Sequence, residues 1–168
     1  HSPLPLQKSA ETGMRVAWAH DAAFHFSYQE NRDLLAAAGA DIVPFSPLYD
    51  EALPANIHAV WLGGGFPEHF AAQLAANTGM LTAMRQQAAR GLPIYAECGG
   101  FMYLCEWLVD QHGQRYPQVG LIPGSTRMTE RLQQFGYAEA TFLQDTPLGP
   151  TGTTVRGHRF HYSVNEPG

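Results

Sequence analysis

Cysteine is scarce in this chain. Cys98 and Cys105 are the only two, and their spacing fits neither a metal-ligand pattern nor the disulfide framework of a secreted domain. No metal site is expected, and the compartment is read as a reducing cytoplasm. Long apolar runs are also missing, so no segment suits a bilayer, and the first residues show no signal-peptide pattern. Basic blocks are absent. With 10 Lys and Arg against 15 Asp and Glu, the formal net charge is -5, which argues against a nucleic-acid partner. Neither a G-x-G-x-x-G nor the lysine-bearing loop of a P-loop occurs, and no repeat or low-complexity tract is visible.

What remains is 168 residues of ordinary hydrophobic content, 45%, which suits one domain with a sizeable core. Residues 1–13 contain prolines, lack periodicity and read as a linker, so the domain is placed at 14–168 and taken as part of a longer polypeptide. Strands are expected at 14–19, 41–45, 59–62 and 92–96. Helices are expected at 28–38, 68–76, 80–90 and 99–110, with Gly39 and Gly91 as terminators. Phe101, Leu104, Cys105 and Leu108 fall at i, i+3, i+4 and i+7, and this places Cys105 in the core. Alternating strands and helices imply an α/β fold, a mainly parallel central sheet with helices on both faces. Beyond Val119 the pattern changes: 119–122, 137–143 and 155–163 read as extra antiparallel strands at the sheet edge.

In a doubly wound sheet, sites form beyond the carboxyl ends of the strands. Three features lie there: Asp21, the run Gly63-Gly64-Gly65, and Cys98 in Ala96-Glu97-Cys98-Gly99-Gly100. The last has the grammar of a nucleophile elbow, with small residues beside a cysteine at a strand-to-helix turn. A helix N-terminus there would favour the thiolate. The stretch alone also fits a buried structural cysteine. The glycine run fits a phosphate cradle, an oxyanion hole or a plain tight turn. Of eight histidines, six have contexts that single none of them out. His158 and His161 flank Phe160 in a strand-like segment, where i and i+3 face opposite ways, so they cannot converge on one metal ion.

Taken in order, Asp21-Ala22-Ala23-Phe24, Phe45-Ser46-Pro47-Leu48-Tyr49-Asp50, Gly63-Gly64-Gly65-Phe66-Pro67-Glu68, the Cys98 elbow and Gly157-His158-Arg159-Phe160-His161-Tyr162-Ser163 closely resemble one family. These are the C-terminal glutamine amidotransferase domains of cobyrinic acid a,c-diamide synthases, of the cobyric-acid-synthase type within the class I (triad) amidotransferases. The resemblance runs from Met14 to Ser163 and implies the flavodoxin-like class I fold. It implies Cys98 as nucleophile, His161 as its base, and Gly64, Gly65 and Gly99 as oxyanion donors. Glu97 belongs to the motif, either as charge support or as a structural hydrogen-bonding residue. Two departures stand out. The wider class follows its histidine with Pro-Glu, whereas Tyr162-Ser163 follow here, leaving a Cys-His pair. Arg159 stands where the subfamily has glutamate; sharing a strand face with His161, it would disfavour a protonated imidazole, or it points away and changes nothing.

The resemblance further implies that glutamine is hydrolysed to glutamate and ammonia through a thioester on Cys98. The ammonia would pass to an N-terminal synthetase domain that uses ATP and Mg2+ to amidate the a- and c-carboxylates of a corrinoid acceptor. No cofactor is expected in this domain itself. Rival readings are a non-catalytic binding or docking module of the same fold, a stand-alone cysteine hydrolase, and an amidotransferase serving another tetrapyrrole.

Overall fold

A computed structural model of the chain describes residues 13–146 and 148–168. The expected linker, save for Gly13, lies outside the described residues. Four strands form the central sheet: β1 (Arg15–Ala19), β2 (Asp41–Phe45), β3 (Ala59–Leu62) and β4 (Ile94–Ala96). They lie in the order β2-β1-β3-β4 and all neighbours are parallel. Parallel neighbours require crossovers, and helices supply them. Helix α1 (Gln29–Ala37) joins β1 to β2, while a 3-10 turn (Pro67–Phe70), α2 (Ala71–Ala76) and α3 (Thr78–Ala89) lead from β3 to β4.

Alternation along the strands divides the sheet into two faces. Ala17, Ala19, Val60 and Leu62 pack with Met80, Leu81 and Met84 of α3 and with Tyr103 in the main core. On the opposite face Trp18, Trp61 and Tyr95 sit opposite one another across three strands. Trp18 stacks on Trp61 with ring centres 5.0 Å apart, Trp61 on Tyr95 at 4.1 Å, and Arg32 of α1 lies 5.8 Å over Trp18. Helical side chains thus reach both faces, as expected.

The expected helix over 99–110 is shorter. Helix α4 spans only Gly99–Leu104, and the chain then runs as strand β5 (Cys105–Val109). That strand pairs antiparallel with β6 (Arg115–Pro117) and parallel with β7 (Ile122–Met128), and long-range ladders override a local helical period. Cys105 is buried, as its position predicted. The expected helix over 68–76 is divided at Phe70, whose φ of -118° and ψ of 13° interrupt it.

The C-terminal strands differ in placement rather than existence. The strand expected at 119–122 lies further on as β7, and β10 (Ser163–Glu166) pairs with it antiparallel. Among the described residues, strands β8 (Gln134–Thr141) and β9 (Thr154–His161) pair only with each other, as a separate two-stranded sheet, not at the edge of the central one. One face of this hairpin carries Phe135, Tyr137, His158 and Phe160, whose rings meet edge to face. Tyr137 is 93% exposed and Phe135 72%.

Candidate active site

The site is assembled where β1, β3 and β4 end. Asp21, just past β1, is saturated by structural hydrogen bonds. Its Oδ1 accepts from the amides of Ala23 (2.8 Å) and Phe24 (3.1 Å), and its Oδ2 from Ser46 Oγ (2.7 Å) and the Leu48 amide (2.9 Å). It ties the loop after β1 to the loop after β2, with no acceptor turned toward the site. That tied loop then grips the glycine turn. Phe66 N–H donates to Ala23 O (3.0 Å) and Phe26 N–H to Gly64 O (3.2 Å).

The elbow is fastened to the same turn from the other side. Glu97 N–H donates to Leu62 O (3.1 Å) and Gly100 N–H to Gly63 O (3.0 Å). Approach is so close that side chains have no room. A Cβ on Gly65 would stand 1.9 Å from Ala23 O, and one on Gly100 would stand 2.4 Å from Leu62 O. Cys98 itself adopts φ 50° and ψ -113°, a conformation that costs about 1–3 kcal/mol for a non-glycine residue. The surrounding hydrogen bonds hold it there, as a nucleophile elbow requires.

The structure brings Cys98, Gly65 and Gly99 together. The amides of Gly99 and Gly65 lie close enough to the thiol to favour its ionised form. They do not win. Cys98 is exposed at the turn, yet the protein packed around it desolvates the thiol enough to push its pKa up, the charges of Glu68 and Glu97 add to this, and the net direction is upward. The expectation that a helix N-terminus would favour the thiolate is thus corrected: its amide contribution is present but outweighed. Gly64, the third expected donor, forms a β-bridge with Phe26 in which its carbonyl accepts the Phe26 N–H, and the amides that favour the thiolate are those of Gly99 and Gly65. Glu97 Oε2 accepts from Tyr95 Oη at 3.0 Å, and burial together with this carboxylate pushes the Tyr95 phenol up to about 12.

His161 closes β9, half-buried, with Nδ1 2.8 Å from Ser163 O. Facing a carbonyl oxygen, Nδ1 must carry the proton, so Nε2 of the neutral ring is the acceptor. A backbone carbonyl thereby orients the ring, the task a glutamate performs in a Cys-His-Glu triad. No hydrogen bond joins Cys98 to His161 among the described residues. Arg159 sits opposite Gly136 on the exposed hairpin, on the His161 face, and its side chain has no ion pair or hydrogen bond among the described residues.

One acidic residue of the quoted motifs was given no role by the sequence. Glu68, at the 3-10 turn, is nearly covered, with 12% of its side chain exposed, and its charge reaches the thiol. Its signal was its position three residues beyond Gly65, at the end of the same motif. No group of three or more His, Cys, Asp or Glu side chains could hold a metal ion among the described residues, and no described helix is long and apolar enough to cross a membrane.

Residues 15–168 match the CobB/CobQ-like glutamine amidotransferase domain family. Cobyrinate a,c-diamide synthase of Salmonella typhimurium is 52% identical over 161 residues, which is 96% of this chain and 35% of that protein. The Listeria monocytogenes enzyme of the same name is 48% identical over 164 residues, covering 98% and 36%. The chain therefore spans about a third of the length of these relatives. Among solved structures, a glutamine amidotransferase superposes with a TM-score of 0.59 at 16% identity, covering 89% of this chain and 72% of that one. PurLQS from Thermotoga maritima gives 0.60 at 15%, covering 92% and 69%. Both likenesses concern the fold alone.

Proposed function

From a chain that belongs to the CobB/CobQ-like glutamine amidotransferase family, and is thus an enzyme of the amide-ligase kind, we propose glutamine hydrolysis through a thioester on Cys98. The observation that carries this reading is the thiol of Cys98 lying beside the Gly65 and Gly99 amides. Sγ attacks the side-chain amide carbon as the thiol proton passes to Nε2 of His161. The carbonyl oxygen becomes an oxyanion facing the two amides, a contribution of roughly 3 kcal/mol per good donor. The C–N bond then breaks, and His161 returns the proton to the departing ammonia. Water attacks the thioester, gives its proton to His161, and glutamate leaves as the thiol is restored.

The ammonia serves a companion synthetase segment of the same polypeptide, where ATP and Mg2+ activate the a- and c-carboxylates of cobyrinic acid in cobalamin biosynthesis. Support comes from the relatives' name and from the chain spanning about 35% of their length. Hydrogenobyrinate or a nickel tetrapyrrole would suit the same chemistry as acceptor, since acceptor choice lies outside this segment. The setting is the cytoplasm.

The test is glutamine hydrolysis by the full-length protein. Cys98→Ala lowers it by more than about a thousandfold, and a diazo-ketone glutamine analogue leaves a mass adduct on Cys98 in the wild type. A second reading, a non-catalytic docking module, is favoured by the missing hydrogen bond between Cys98 and His161. Wild-type protein that neither hydrolyses glutamine nor takes the adduct would establish that module and end the first reading.

A further inference from the structure

Glutamine at physiological pH is a zwitterion, and a site selective for it must meet an α-ammonium four bonds from the carbon that the thiol attacks. A carboxylate is the usual partner for such a group, because a desolvated cation needs a compensating charge. Two carboxylates exert their charge on Cys98, those of Glu68 and Glu97. Glu97 is occupied by the phenol of Tyr95.

Glu68 is different. Its side chain is nearly covered, yet its interactions among the described residues are weak. The backbone N–H of Glu68 itself helps to stabilise it, and Nε2 of His69 approaches only to 4.0 Å. The His69 side chain is itself 71% exposed, so its charge is well solvated and a poor counter-ion. Covering a carboxylate without a close cation leaves it short of partners, which is why burial pushes its pKa up. The 3-10 turn that carries it is held against the elbow. Pro67 Cδ would stand 2.9 Å from a Cβ on Gly99, so Glu68 is fixed relative to the nucleophile.

We propose that the Glu68 carboxylate receives the α-ammonium group of bound glutamine. The proposal rests on the glutaminase reading and adds the group that selects this substrate. It also has a consequence for reactivity. In the free site the negative charges of Glu68 and Glu97 oppose ionisation of Cys98, with the Tyr95 phenol and the His69 ring beside them. An ammonium seated on Glu68 cancels one of the two, so glutamine itself relieves the opposition to its own attack.

The test compares glutamine with 4-carbamoylbutanoate, which is glutamine lacking the α-amino group, on the full-length protein. Wild type prefers glutamine by about a hundredfold in kcat/KM, within the range by which losing one partner of a hydrogen-bonded charge pair weakens binding. Glu68→Gln raises KM for glutamine about ten- to a hundredfold, changes kcat less, and shrinks the preference to a few-fold, with Glu68→Asp between them. Unaltered KM and preference in Glu68→Gln would overturn the proposal while glutaminase activity stands. An equal loss of kcat on both substrates would overturn it too, by assigning Glu68 to the reaction itself. Should Glu68→Gln fail to fold, wild type alone decides, because equal use of the two amides also overturns the proposal. Wild type that hydrolyses neither amide sinks the glutaminase reading, and this inference with it.

Discussion

The sheet that carries Cys98 and the hairpin that carries His161 are built on opposite plans. In the first, β1 and β3 lie under helices, with Trp18 at 1% exposure and Leu62 at 0%. In the second, β8 and β9 form a sheet of two strands with no third partner among the described residues, and an aromatic face stands in solvent. An isolated two-stranded sheet is marginal in water. The proposed nucleophile is thus fixed by backbone geometry, whereas its proposed base rides on an element with far less packing. Precision is invested in the strained turn, and adjustability in the histidine.

This contrast predicts different outcomes for comparable substitutions. The largest belongs to His161→Ala, expected to lower glutamine hydrolysis by about 10²–10⁴-fold while thermal unfolding stays where it was. A large drop in melting temperature would erase the distinction between the regions. Next comes Gly100→Ala, whose Cβ would lie 2.4 Å from Leu62 O. Denaturant unfolding should register a loss of about 3 kcal/mol, and a neutral result would mean the elbow is less tightly seated than its hydrogen bonds suggest. Phe160→Ala on the hairpin should cost under about 0.5 kcal/mol by the same measurement. A cost above about 1 kcal/mol would show the hairpin packed and break the contrast.

The last expected effect concerns pH. Tyr95 is pushed up to about 12 in the folded chain, against 10.0 as its ordinary value. The folded state therefore holds this proton more tightly, so the stabilisation is full below pH 10 and declines as pH rises toward 12. Tyr95→Phe should flatten that alkaline decline in stability-versus-pH curves, and an unchanged slope would assign the decline to other groups.

The first half of the fold was legible because its periods are local. The strands at 41–45 and 59–62 are found where apolar runs placed them, and Gly65, Cys98 and Gly99 do converge. The failure at 105–109 is instructive. The spacing of Phe101, Leu104, Cys105 and Leu108 suits a helix, but ladders to residues 115–117 and 122–127 decide otherwise, and no local window contains them. The orienting group for His161 was hidden for another reason. It is the carbonyl of Ser163, and a backbone oxygen has no residue letter.

The left-handed backbone at Cys98 has a consequence for folding. That conformation persists only while Leu62 and Gly63, at the end of β3 and just beyond, receive the amides of Glu97 and Gly100. In the unfolded chain the thiol titrates as any free cysteine does; once the strands are side by side, it is raised. Pulsed alkylation during refolding would therefore read Cys98 as a clock, its slowing marking the moment at which the elbow and the turn bearing Glu68 close around the thiol.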